Sequence, residues 1–167
     1  MSLATRDLFQ PLWSDEVHRE WMTRLLENHP DLSLKSIERA RRLMEAYAED
    51  AIVSGYEDLI ETLVLPDPRD RHVVAAAIHC GADTIVTLNL KDFPNETLAS
   101  YKLVARHPDS LLAEFIDVNP ALTAEALAAD RASMRHRPMS ADEYLLALER
   151  NGLKQSASKL RDFKSEL

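Results

Sequence analysis

Apolar and polar positions alternate along the chain at two spacings, one helical and one extended. Val17, Trp21 and Leu25 recur at every fourth position and, with Met22 and Leu26, form one face of a helix. Ser14 stands ahead of it as an N-cap, Asp15 and Glu16 occupy its first turn, and His29-Pro30 ends it. Before this helix, residues 9–13 are a short apolar run broken by Pro11 and predict a short strand; the residues up to Leu8 read as the last turn of an earlier helix. A second amphipathic helix follows Ser33, with Ile37, Ala40, Met44 and Tyr47 as its buried stripe. Residues 51–54 predict a brief strand closed by Gly55, and residues 56–65 a segment that is helical for part of its length.

Asp67-Pro68 then opens a helix that buries Val73, Val74, Ala77 and Ile78 and stops at Gly81. Thr84-Ile85-Val86-Thr87-Leu88 has the unbroken apolar character of a strand buried on both faces of a parallel sheet. A short helix over residues 96–100, a strand over 102–105 and a helix capped near Asp109 follow. Strands alternating with helices predict an α/β fold with a mostly parallel sheet flanked by helices. Beyond Asn119-Pro120 the strand signal ends, and residues 121–136, 140–150 and 153–165 all read as helix. The expected organisation is an α/β domain over residues 1–118 and a helical C-terminal appendage over 119–167.

Composition narrows the class without naming a chemistry. Hydrophobic residues make up 46% of the 167 and charged ones 29%, as in ordinary globular proteins. No run approaches the roughly 20 apolar residues of a membrane span, and the N-terminus lacks the basic-then-apolar order of a signal peptide. The single cysteine, Cys80, excludes an internal disulfide, and the expected compartment is the cytoplasm. A net charge of −8 argues against broad wrapping of nucleic acid, but the charge is uneven. Residues 1–130 carry 12 Lys and Arg against 23 Asp and Glu; residues 131–167 carry 8 against 5. An acidic body with a basic tail fits a cation pocket beside a surface for phosphates or an acidic partner, and fits equally a solvated surface with a helical tail.

The acids at the ends of elements carry the candidate chemistry. Glu16 and Glu20 share a helix face, with Glu20 bordering the apolar stripe and Glu16 placed as a helix-dipole acid. Asp67 suits an N-cap and Asp70 the first turn of the helix it opens, which accounts for both structurally. The same position also points them toward a ligand at the sheet edge. Asn89 and Asp92 follow a strand end, where turn formation is their ordinary role. Carboxylates and an amide in such a group are ligands for Mg²⁺ or Mn²⁺, and no Cys/His spacing suits zinc. His18, His72 and His107 read as surface or supporting residues.

The run Leu65-Pro66-Asp67-Pro68-Arg69-Asp70-Arg71-His72-Val73-Val74-Ala75-Ala76-Ala77, followed by Ala82-Asp83-Thr84-Ile85-Val86-Thr87-Leu88-Asn89-Leu90-Lys91-Asp92-Phe93-Pro94, resembles the C-terminal half of a PIN domain of the VapC toxin type. Trp13-Ser14-Asp15-Glu16-Val17-His18-Arg19-Glu20-Trp21 resembles the strand and helix that carry the family's glutamate. The resemblance spans roughly residues 3–117. It implies a metal-dependent ribonuclease in which Glu20, Asp70 and Asp92 act catalytically. Glu20, Asp70, Asn89 and Asp92 would hold Mg²⁺ or Mn²⁺, with Glu16 and Asp67 as adjacent candidates. It also implies an RNA substrate, an antitoxin partner and a homo-oligomer.

One part of the family pattern has no counterpart. The family opens with a central strand bearing an aspartate, and residues 1–8 supply only the end of the helix that follows it. Asp7 lies on no strand and does not replace that acid. Weak or absent activity is therefore expected. The gap would be closed by neighbouring strands, filled by another chain, or explained by an upstream coding segment. The alternative function is a catalytically inactive PIN scaffold that binds partners, with Arg131, Arg135, His136 and Arg137 as candidate contacts for RNA or a partner. A receiver-type signalling domain is a third class, for which Asp92 and Lys102 make a poor pair.

Overall fold

The computed structural model describes residues 8–48, 50–134 and 138–167. The expected N-terminal helix end, Asp7, and the tail residues Arg135, His136 and Arg137 lie outside them. Contacts divide the described residues into two compact units, Gln10–Ile85 with Asn89–Ala105, and Arg106–Leu167 with Val86–Leu88, Leu8 and Phe9.

The first unit opens with β1 (Trp13–Ser14), which pairs in parallel with β2 (Ile52–Val53). Between them run α1 (Asp15–Asn28) and α2 (Leu34–Tyr47). Their starts follow the sequence: the Ser14 hydroxyl accepts from the Val17 N–H and the Ser33 hydroxyl from the Ser36 N–H. Next come α3 (Glu57–Ile60), a 3-10 turn (Pro68–Asp70) and α4 (Arg71–Cys80). Gly81 closes α4 in the left-handed conformation (φ 68°), which a residue without a Cβ adopts at little cost. β3 (Thr84–Val86), a 3-10 turn (Leu90–Asp92), α5 (Asn95–Ala99) and β4 (Val104–Arg106) follow. β3 pairs with β4 in the same sense: the Val104 N–H donates to the Asp83 carbonyl and the Thr87 N–H to that of Arg106.

Val74, Ala75, Ala76 and Ala77 of α4 pack with Val53, Tyr56, Leu63, Leu65, Ile85, Phe93, Leu98 and Leu103 in one core. The small alanines let strands and loops approach α4 closely, so that its first turn is held at a fixed place. The α/β expectation holds, with helix dominating and strands of two or three residues. Three local expectations do not. The strand after residue 83 ends at Val86, and Val86 and Leu88 are exposed; among the described residues β3 pairs with β4 alone. In α2, Ile37 of the expected stripe is buried, Met44 is partly buried and Ala40 is exposed, while the Tyr47 side chain lies outside what is described. His18, with no exposed surface, and His72 are core residues and not surface ones.

The second unit comprises α6 (Pro108–Val118), α7 (Pro120–Ser133), α8 (Ala141–Arg150), α9 (Lys154–Leu160) and a terminal 3-10 segment (Arg161–Glu166). Leu112, Ile116, Leu127, Tyr144, Leu145, Leu160 and Leu167 form its core. α6 is capped near Asp109 as expected, by the His107 ring, which accepts from the Asp109 N–H. Asp109 itself accepts from the N–H groups of Gln155 and Ser156 at 2.9 and 2.8 Å, acting as a cap for α9 from 46 residues away. Arg131 donates to the carbonyls of Met139 and Leu167 at 2.6 and 2.7 Å.

Candidate metal centre

The start of α4 organises the acids. Asp67 caps the turn ahead of the helix: its carboxylate accepts from the Arg69 N–H at 2.9 Å and is gripped by the Arg69 guanidinium at 2.7 Å. These bonds hold its carboxyl well below the usual range, at about 2. Asp70, at the N-cap position of α4, makes no side-chain capping bond. Capping thus falls to Asp67 and the first-turn place to Asp70, as the sequence suggests. Burial pushes the Asp70 carboxyl above the usual range, and the charges of Asp67, Asp92 and Glu20 push it the same way, with His72 opposing. Four carboxylates thus share one electrostatic neighbourhood, centred on Asp70.

Glu20 reaches this neighbourhood from α1. Its Oε1 lies 3.2 Å from Nε2 of His72, at the second position of α4. Asp92 stands in the 3-10 turn after β3 and accepts from the side-chain amide of Asn89. Glu16 pairs with Arg19 on the surface of α1 at 2.7 Å. The structure thus brings Glu20, Asp70, Asp92 and Asn89 toward one end of the first unit, commits Asp67 to Arg69 and leaves Glu16 to Arg19. His72, read from sequence as a surface or supporting residue, is buried in a supporting place, and its pairing with Glu20 is what the sequence did not show. A polar residue on the face of α4 that also carries Ala75 and Ala76 was its available signal, since a buried imidazole needs a partner.

Among the described residues, no three His, Cys, Asp or Glu side chains converge closely enough to form a closed metal cage. The donor set nevertheless suits a small hard cation. Mg²⁺ keeps several waters and takes one or two carboxylates directly, so the remaining acids can act through water. Glu20, Asp70 and Asp92 line neither of two clefts in this unit, one of about 490 Å³ beside Asp15, Arg19 and Arg41 and one of about 400 Å³ around Ser54 and Cys80.

Short parallel strands flanked by helices, with acids at the start of α4 and in the turn after β3, define an α/β scaffold with polar groups at its strand ends. The model of the PIN domain family matches residues 1–91, and that of the VapC50 C-terminal domain matches residues 108–162. The chain belongs to the PIN-domain family. It is similar to the protein named "Putative ribonuclease VapC50" of Mycobacterium tuberculosis (strain ATCC 25618 / H37Rv), with 44% identity over 68 residues. That similarity takes in 41% of this chain and 40% of the relative, so it spans less than half of the relative's length. No solved structure matches the chain. No helix among the described residues is long and apolar enough to cross a membrane.

Proposed function

We propose that this chain is a divalent-metal-dependent endoribonuclease of the VapC toxin type, acting on RNA and paired with an antitoxin. The observation that carries the reading is Asp70, a partly buried carboxylate free of any capping bond and surrounded by the charges of Asp67, Asp92 and Glu20. Such an excess of negative charge is relieved by a cation. Glu20, Asp70 and Asp92 would hold Mg²⁺ or Mn²⁺, directly or through water, with Asn89 fixing Asp92. When bound, the ion supplies a Lewis acid that activates water for attack on a phosphodiester. The protein's own part is positional: α4 anchors Asp70, His72 holds Glu20, and the Asn89 amide holds Asp92. The Arg69 guanidinium, largely exposed beside these acids, is available to a phosphate once Asp67 releases it.

A second reading, a PIN scaffold that binds RNA or an antitoxin without cleaving, is favoured by the absence of a closed three-ligand cage among the described residues. Cleavage of a mixed RNA substrate with Mg²⁺ or Mn²⁺, compared with EDTA and with Asp70→Asn, separates the two. Metal-dependent cleavage lost in Asp70→Asn supports the nuclease. Binding of RNA without cleavage, unchanged by Asp70→Asn, supports the scaffold.

A further inference from the structure

We infer that His72 is a positioning residue of the metal site: its Nε2, 3.2 Å from Oε1 of Glu20, fixes that carboxylate so that its other oxygen serves the cation. The inference rests on the proposed role of Glu20, Asp70 and Asp92 as cation ligands and goes on to assign how one of them is aimed.

Three observations carry it. First, the bond joins residues 52 apart in sequence and ties α1 to the first turn of α4, two residues from Asp70. Glu20 is long and its side chain is 39% exposed, so without a tether it would sample many rotamers in water. Second, the His72 side chain is only 8% exposed, so its ring is fixed by packing and holds the Nε2–H in place. Third, its other nitrogen, Nδ1, is buried with no hydrogen-bond partner. A phenylalanine or leucine would fill the same space without leaving a buried nitrogen unsatisfied, so packing alone does not call for an imidazole here. The contact with Glu20 does. Because an ionised carboxylate only accepts, it is a proton on Nε2 that makes this bond. Carboxylates that ligate metals depend on such outer bonds, whose loss typically weakens metal binding by about 10–100-fold.

The test is a Mn²⁺ titration of the full chain, followed by the electron paramagnetic resonance signal of free Mn²⁺. The proteins are wild type, His72→Phe, His72→Gln, His72→Asn and Glu20→Gln, each checked for folding by its thermal melt. His72→Phe keeps the buried ring and is expected to weaken Mn²⁺ binding by about 10-fold or more. His72→Gln, whose amide nitrogen falls near the place of Nε2, is expected to recover most of the affinity, whereas His72→Asn, whose amide falls near Nδ1, is not. A purely structural role would not distinguish the two amides. Phe binding within about twofold of wild type, or Gln no better than Phe, overturns the inference while the ligand assignment stands, provided that Glu20→Gln loses affinity. If wild type fails to bind Mn²⁺, or Glu20→Gln binds as well as wild type, the ligand assignment itself falls and the inference with it.

Discussion

Asp109→Ala should loosen the C-terminal helical unit by a predictable amount. The Asp109 carboxylate receives the N–H groups of Gln155 and Ser156 at the start of α9, whose own N-cap residue, Leu153, provides no side-chain bond. Ser156 is fully buried, and its hydroxyl lies 2.7 Å from the same carboxylate and 2.9 Å from the Asp109 backbone carbonyl. After substitution the hydroxyl retains that carbonyl and the Gln155 N–H turns to water, but the Ser156 N–H is left buried without an acceptor. One such donor costs about 1–3 kcal/mol, and loss of a helix cap about 1 kcal/mol. The sum, about 2–4 kcal/mol, corresponds to a Tm lower by roughly 5–15 °C for a chain of this size. Asp109→Asn, which keeps one oxygen, should lose about half as much. The pH dependence has a fixed sign. Burial raises the Asp109 carboxyl, but the bonds from Ser156 and Gln155 outweigh it and leave it below its ordinary value. Its contribution is therefore present above the unfolded value of 3.8 and is lost as pH falls through the lower folded value. Differential scanning calorimetry at pH 7 measures the effect; an Asp109→Ala Tm within about 2 °C of wild type would refute the capping role.

Two further outcomes are expected. Arg69→Ala should return the Asp67 carboxyl from about 2 toward its ordinary 3.8, read by carboxyl ¹³C NMR across a pH series. The stability that Asp67 contributes above 3.8 and loses as pH falls through about 2 then shrinks to the part held by the residue-69 N–H; an unchanged titration would mean that the guanidinium does not hold it. Arg131→Met should remove two charge-assisted bonds to carbonyls, at a cost of about 1.5–3 kcal/mol, and raise hydrogen exchange over residues 161–167. Unchanged exchange with weakened RNA or partner binding would instead assign Arg131 to an interface.

The sequence carries two helix starts and one helix end plainly, because Ser14, Ser33 and Gly81 act through local backbone geometry that needs no tertiary context. The Ala-rich α4 and the acids at its start are legible for the same reason: a Pro-led helix opening at Asp67 fixes where Asp67 and Asp70 stand. Their separate roles, Asp67 as N-cap and Asp70 as first-turn acid, are legible too. What surrounds them is not: the Arg69 guanidinium on Asp67 and the charges of Asp92 and Glu20 near Asp70 come from the fold. The link between His72 and Glu20 is hidden for a related reason, since its 52-residue separation is closed by the packing of the first unit and not by any local spacing. Burial of the strand after residue 83 is overread because apolar composition cannot report how many neighbours a strand has; β3 pairs with β4, and Leu88 is 70% exposed. The remote cap at Asp109 is likewise a product of helix packing, invisible in a residue that looks like an ordinary first-turn acid.

The most direct test of the acid cluster is a Mg²⁺ titration of the full chain followed at the side-chain carboxyl carbons by NMR. The account predicts that Asp70, Asp92 and Glu20 shift together along one saturating curve, with Glu16 unmoved on its pair with Arg19. Carboxyl signals that stay in place, or that move only at Glu16 and other surface acids, would contradict it.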